Sequence, residues 1–389
     1  MTPALILALV LLLLVLGAGG MTWYRVAWDA GGRDLEAIVD GEVHKLHRGG
    51  RDDFAVVVGV WHDGRAWTKG YGRTSSTDPA APTSATVFQI GSVTKVFTAS
   101  LLHLLSLERR VSGDWTIAQV LGPSVPLADA VSGITLEQLA THTSGLPRLP
   151  KFLERDLPME HGKEAVMQDP YSLIRLDTVL AYLQDAPEAR PPGRFAYSNY
   201  GMGLLAHLLE RATGEGYESL LRRHILDPLQ MQHTAVTLDA AMQARLAQGH
   251  DMKGRPVPPW GFQSLAGAGA LYSTVDDLMR FTRAGLDGGP GLPQMLQATH
   301  APRHDGKAGL GWIQPTFLDR MLGNRTLVWH DGGTLGYASY ICVDRGSRTA
   351  IVILCAQGTG AALSGTVLHR KLRNLQAGLQ ATPQDEDPP

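Results

Sequence analysis

ThrLeuValTrp (326–329), TyrAlaSerTyrIleCysVal (337–343) and ThrAlaIleValIleLeuCys (349–355) lie close together near the end of the chain, and AspAspPheAlaValValValGlyValTrp (52–61) lies near its start. Each is a short run of β-branched, aromatic and small apolar residues bounded by turn formers, the pattern of a buried strand. The run at 52–61 continues through the turn-like His62-Asp63-Gly64 into AlaTrpThrLysGlyTyrGly (66–72), which reads as a β-hairpin. Strands at both ends around a long helical middle predict an α/β (α+β) fold, in which one antiparallel sheet is assembled from both termini and a mainly helical region, about 90–310, is inserted into it. The functional site is expected where sheet and insertion meet.

Working outward, Leu35, Ile38, Val39, Val43 and Leu46 recur at helical spacing, as do Leu363, Val367, Leu368, Leu372 and Leu375. These two amphipathic helices bracket the strands and predict one domain over 33–376. Within the insertion, Asn199 to Thr213 reads as a helix stopped by Gly214, and Ser273-Thr274 ahead of Asp276-Asp277 reads as the cap of another. The tail 377–389, ending ThrProGlnAspGluAspProPro, is acidic and proline-rich and is expected to be disordered.

The length of 389 residues and 44% hydrophobic content suit a large core. Lys plus Arg number 35 against 37 Asp plus Glu, a formal charge of −2, so no basic surplus points to nucleic acid. Residues 4–18 are unbroken apolar, and Trp23 and Tyr24 extend them to an aromatic edge. Residues 1–24 therefore read as a signal peptide or a membrane anchor. The expectation is an exported catalytic domain, periplasmic or held at the membrane through residues 4–24. The two cysteines, Cys342 and Cys355, belong to a hairpin turning near Gly346. That fold sets Cys342 opposite a residue near Ala350 and Cys355 opposite one near Tyr337, roughly 15 Å apart and beyond bridging distance.

The chemistry starts at Gly91-Ser92-Val93-Thr94-Lys95. A serine hydroxyl is a weak nucleophile at neutral pH, and a lysine three residues on lies one helical turn away on the same face. The apolar helix that follows (Val96, Phe97, Ala99, Leu101, Leu102) would bury Lys95 and lower its pKa, making it a base. Alone, the tetrapeptide also reads as a serine cap with a solvated lysine. Tyr197-Ser198-Asn199, the one Tyr-x-Asn of the chain, follows in a loop ahead of a helix. A tyrosine near an ammonium can have a lowered pKa and shuttle protons, while the asparagine amide can bond a substrate carbonyl and the lysine. His330-Asp331-Gly332-Gly333 is expected between two strands, with Gly333 free to approach a substrate and offer its N–H. His-x-Gly recurs at His47, His62 and His304, where turns and helix ends account for it.

In this order the three elements resemble the motifs of class C-type β-lactamases and D-alanyl-D-alanine carboxypeptidases, the serine penicillin-binding superfamily. LeuAlaThrHisThrSerGlyLeuPro (139–147) and GlyAlaGlyAlaLeuTyrSerThrValAspAspLeu (267–278) are similar to further family segments, and the similarity spans about 36–375. The resemblance implies a mixed α/β sandwich with a helical insertion. It implies that Ser92 attacks the acyl carbon, that Lys95 and Tyr197 move protons, that Asn199, His330, Gly332 and Gly333 bind substrate, and that the Ser92 and Gly333 amides form the oxyanion hole. It implies no metal or organic cofactor. The substrate would be a small molecule or a peptidoglycan peptide, a D-alanyl-D-alanine peptide or a β-lactam, with an esterase or a non-catalytic penicillin-binding sensor as alternatives. Many β-lactamases carry Lys-Thr-Gly where this chain has His330-Asp331-Gly332. A histidine is mostly neutral at pH 7, so recognition of a substrate carboxylate should be weaker or pH-dependent, which counts against an efficient β-lactamase. His142 and Ser144 are read as structural loop residues.

Overall fold

The computed structural model describes residues 35–46, 54–77, 80–151, 169–321, 324–358 and 360–381. The apolar segment 1–24 and the acidic residues 382–389 lie outside them. Among the described residues no helix is long and apolar enough to cross a membrane.

Five strands, β1 (Val56–His62), β2 (Arg65–Tyr71), β3 (Leu327–Gly333), β4 (Ala338–Asp344) and β5 (Thr349–Cys355), form one sheet in the order β2-β1-β5-β4-β3. Every neighbouring pair is antiparallel. The sheet is thus built from both parts of the chain that carry strand signals, with β1 paired to β5 across the whole insertion. β4 and β5 are buried at every position, which is why they read as continuous apolar runs rather than as alternating ones.

Two details differ from the expected strands. The hairpin turn spans Arg345 to Arg348, with Arg348 at φ +51°, so Asp344 pairs with Thr349 and the register is one residue from a turn centred on Gly346. Cys342 faces Ile351 and Cys355 faces Ala338, and both cysteines are buried and free. β3 does not stop at Trp329 but runs on through His330-Asp331-Gly332-Gly333, paired to Ile341, Tyr340, Ser339 and Ala338.

The helices used below are α1 (Leu35–Leu46), α2 (Thr94–Leu107), α3 (Asn199–Thr213), α4 (Ala266–Gly269), α5 (Val275–Asp287) and α6 (Ala361–Ala381). The chain divides into two units: one holds α1 and the part of α6 from Thr366, the other residues 49–365. In the first, the buried Glu42 of α1 accepts an ion pair from Lys371 of α6 at 2.9 Å. α6 runs to Ala381, five residues past the expected domain end at 376. Leu363, placed by its spacing on the apolar face, is 73% exposed.

In the second unit α5 lies on the sheet. A Cβ on Gly59 of β1 would come within 2.6 Å of Val275 Cγ1, so glycine is what lets the helix approach. The guanidinium of Arg283 sits 3.7 Å from the ring centre of Trp61. Phe97 of α2 stacks on Phe281 at 4.3 Å between centroids, joining α2 to the same core. Thr274 caps α5 by accepting from Asp277 N at 3.2 Å, and α3 ends at Gly214 in the left-handed region, φ +73°.

Candidate active site

Ser92 sits in a 3-10 turn, Gly91–Val93, that feeds directly into α2. The turn is wedged against the end of β3. Gly91 has φ +50°, and a Cβ there would lie 2.9 Å from Gly333 N. A Cβ on Gly332 would lie 2.1 Å from Ile90 O and 3.0 Å from Ser92 N. Ser339 of β4 holds the same carbonyl, its Oγ donating to Ile90 O at 2.7 Å. Only glycines allow two backbones this close, and their approach sets the amides of Ser92 and Gly333 side by side. The glycines of HisAspGlyGly therefore continue the strand rather than end it.

Lys95 has no exposed surface, and its Nζ donates to Ser92 Oγ at 2.8 Å and to Ala268 O at 2.5 Å. Ala268 is positioned by α4. Gly267 presses so tightly on α3 that a Cβ would meet Ala206 Cβ at 2.5 Å, and Gly267 O accepts from Thr98 Oγ1 at 2.9 Å. The GlyAlaGlyAla segment thus brings a carbonyl to the lysine. Burial drives the Lys95 pKa well below that of an ordinary lysine, and Arg148 adds to this, while Asp331 opposes it. The amine is thereby poised to take a proton from the serine it touches.

Ser198 is the N-cap of α3. Its Oγ accepts from Gly201 N at 2.8 Å and donates to Pro147 O at 2.7 Å. His142, at φ +57°, accepts from Ser198 N at 3.1 Å, and its carbonyl accepts from Ala196 N at 2.7 Å. ThrHisThrSerGlyLeuPro is therefore the platform on which Tyr-Ser-Asn is mounted, with His142 Nδ1 engaged by the Ser198 amide. Because Ser198 does the capping, the flanking Tyr197 and Asn199 side chains are left for the site.

The Tyr197 ring lies 4.4 Å from that of His142 and 5.1 Å from Lys95 Nζ. The expectation of a lowered phenol pKa does not hold. Burial raises it, outweighing the opposing influences of Ser92 and the Arg148 charge. Nor does Asn199 bond the lysine: its Nδ2 donates to Tyr171 Oη at 2.6 Å, and its buried Oδ1 has no protein partner. Tyr171, Trp260 and Phe262 form an aromatic wall beside it, with Tyr171 centroids 5.5 and 4.7 Å from the other two. Gln89 holds that wall, exchanging hydrogen bonds with Trp260 N and O at 3.0 and 2.7 Å.

His330 is 1% exposed, its Nδ1 is 2.6 Å from Asp331 O, and its Nε2 is buried with no protein partner. The carbonyl fixes the proton on Nδ1 and leaves Nε2 an acceptor. Burial, with the Lys95 charge, pushes its pKa down to about 3. The ring is neutral throughout the physiological range, so the expected pH-dependent charge at this position is absent. Burial raises the neighbouring Asp331 carboxyl, against the fields of Lys95 and Arg148.

Ser92, Lys95, Tyr197, Asn199, His330, Gly332 and Gly333 thus converge on the junction of the sheet with the insertion. The arrangement offers a serine hydroxyl with a basic amine on one side, a protonated phenol on the other and backbone amides behind, the components of acyl transfer. Arg148, Tyr171, Trp260 and Gln89 were not singled out in the sequence. Arg148 directly follows the platform segment that was recognised.

Residues 45–372 match the family model described as Beta-lactamase, and the chain belongs to that family. A human protein named putative beta-lactamase-like 1 is 32% identical over 247 residues, 60% of this chain and 46% of that protein, so the chain spans about half of its length. A beta-lactamase of Pseudomonas fluorescens is 26% identical over 82% of this chain and 93% of its own. D-alanyl-D-alanine-carboxypeptidase/endopeptidase AmpH of Escherichia coli is 28% identical, covering 71% and 72%. Among solved structures, a beta-lactamase/D-alanine carboxypeptidase from Pseudomonas syringae superposes with TM-score 0.71 at 23% identity, over 90% of this chain and 99% of that one. A class C beta-lactamase gives 0.73 at 22%, over 90% and 97%. These likenesses establish the α/β fold with its antiparallel sheet.

Proposed function

We propose that the protein is a serine hydrolase that forms an acyl-enzyme, acting on D-alanyl-D-alanine peptides of peptidoglycan or on β-lactams. The observation that carries this reading is Ser92 Oγ held by Lys95 Nζ at 2.8 Å, with the Tyr197 ring centre 5.1 Å from the same Nζ. In its uncharged form Lys95 takes the Ser92 proton as Oγ attacks the acyl carbon, and the developing oxyanion is met by the Ser92 and Gly333 amides. Tyr197, kept protonated by its raised pKa, gives its proton to the leaving group and recovers one from Lys95. Water, deprotonated by the same pair, then releases the acid. Asn199 Oδ1, unpaired and buried, is the acceptor for a substrate N–H. The names of the Pseudomonas fluorescens and Escherichia coli relatives agree with this substrate class.

A peptidase or an esterase is favoured over an efficient β-lactamase by one observation, the neutral His330 at the position where many β-lactamases carry lysine. The apolar residues 4–18 support export of the catalytic domain, with membrane contact through 4–24. Intact-protein mass spectrometry with a penicillin, run beside Ser92→Ala, tests the reading. A serine-dependent adduct is expected, and its lifetime separates β-lactamase from peptidase or sensor. Hydrolysis of acyl donors retained by Ser92→Ala would overturn it.

A further inference from the structure

Two cationic side chains act on this site, and they differ in kind. Lys95 is enclosed and committed to Ser92 and Ala268. Arg148 is exposed. Its backbone is nonetheless fixed: its carbonyl accepts from Asn199 N at 2.9 Å and Tyr200 N at 3.1 Å, and the preceding Pro147 carbonyl is held by Ser198. Its guanidinium lies 5.1 Å from the ring centre of Tyr197, the same ring that lies 5.1 Å from Lys95 Nζ. Four other arginines of the described residues are ion-paired, Arg110 and Arg223 with Glu215, Arg255 with Asp251 and Arg280 with Asp277. Among the described residues no carboxylate pairs with Arg148.

A solvated surface arginine needs neither a pinned backbone nor a seat on a catalytic ring. The strand side of Ser92 offers a substrate anion little: His330 is enclosed with its Nδ1 already engaged, and Asp331 carries a carboxyl group. A guanidinium presents a planar fork matched to a carboxylate. We infer that Arg148 is the anion anchor of this active site, binding a carboxylate of the acyl donor on the Tyr197 side of Ser92 in place of a cation on the strand. The inference rests on the hydrolase reading for the nature of the ligand, and it makes the preferred substrate an anionic acyl donor.

Matched esters provide the test: phenylacetylglycine esterified to 3-hydroxybenzoate, which carries a carboxylate, and to 3-hydroxybenzamide, its neutral isostere. In the full-length protein, Arg148→Gln is expected to lower kcat/KM for the carboxylate ester about tenfold or more beyond whatever it does to the carboxamide ester, the neutral ester absorbing the loss of the Arg148 charge near Lys95. Arg148→Lys restores part of the preference, and added salt erodes the wild-type preference. Equal effects on both esters, or none on either, overturn the inference. Calorimetric binding of the same esters to Ser92→Ala, with and without Arg148→Gln, separates it from the hydrolase reading. Discrimination that depends on Arg148 without wild-type turnover would sink the hydrolase and leave the anchor standing. Binding without discrimination removes the anchor whatever the turnover.

Discussion

Lys95 and Asp277 occupy corresponding places in two helices of the same core. Lys95 is the second residue of α2, Asp277 the third of α5, and neither has exposed surface. Asp277 is surrounded by donors: His233 N at 2.8 Å, Thr234 Oγ1 at 2.9 Å and Arg280 at 2.9 Å. Lys95 has a hydroxyl and a carbonyl but no carboxylate within ion-pair distance among the described residues, and Arg148 adds a like charge to its surroundings. Burying a charge is tolerable when partners replace the lost water, and when they do not the group sheds the charge instead. Asp277 is a charge the fold uses to tie a loop to a helix. Lys95 is a charge the fold has made hard to keep, which is what a base requires.

Replacing each residue tests the contrast. Lys95→Met should lower the acylation rate about a thousandfold or more and raise stability by about 1 kcal/mol, because an apolar side chain replaces an uncompensated charge. The sign with pH follows from linkage. Between the depressed native pKa and the ordinary lysine value of 10.5, the unfolded chain holds a proton that the native one has released. Wild-type stability therefore rises with pH across that window, and chemical denaturation of Lys95→Met should lack that slope. An acylation rate within about tenfold of wild type would reduce the lysine to a packing role.

Gly332→Ala should lower kcat about a hundredfold with a smaller change in KM, since its Cβ drives β3 off Ile90 O and displaces the Gly333 amide. Asp277→Ala is expected to do the opposite of Lys95→Met, costing about 3 kcal/mol because the donors of His233 and Thr234 lose their acceptor. The turnover of the molecules that remain folded should be unchanged. A large loss of kcat in Asp277→Ala would show that the two buried charges are not separable in role.

Much of this contrast is visible in the sequence on the lysine side and none of it on the aspartate side. Ser92 and Lys95 are three residues apart on one helix, so spacing alone places them together, and the Tyr-Ser-Asn and His-Asp-Gly-Gly elements are short enough to be read whole. Asp277 was legible as part of a capped helix start, but its partners at His233 and Thr234 are more than forty residues away. Arg148 escaped because its importance comes from an interaction at a distance, a guanidinium over a ring that arrives from another segment. Tyr171 and Trp260 escaped for the same reason. The phenol of Tyr197 was misjudged because proximity to an ammonium suggests a lowered pKa, whereas enclosure outweighs it. The hairpin slipped by one residue because nothing in Asp344-Arg345-Gly346-Ser347-Arg348 announces that Arg348 takes the left-handed conformation.

The pairing of β1 with β5 also carries a consequence in time. β1 is synthesised early, yet its inner partner, Thr349–Cys355, leaves the ribosome about 290 residues later, roughly 15 to 60 s at ordinary elongation rates. Throughout that interval an apolar strand has an open edge, the kind of template on which nascent chains associate wrongly. Between the synthesis of Tyr197 and that of Gly333, Ser92, Lys95 and Tyr197 already exist but Gly333 does not. The growing polypeptide thus carries the Ser92–Lys95 pair without the strand end that packs against it, and the junction of sheet and insertion is completed only when translation is nearly finished.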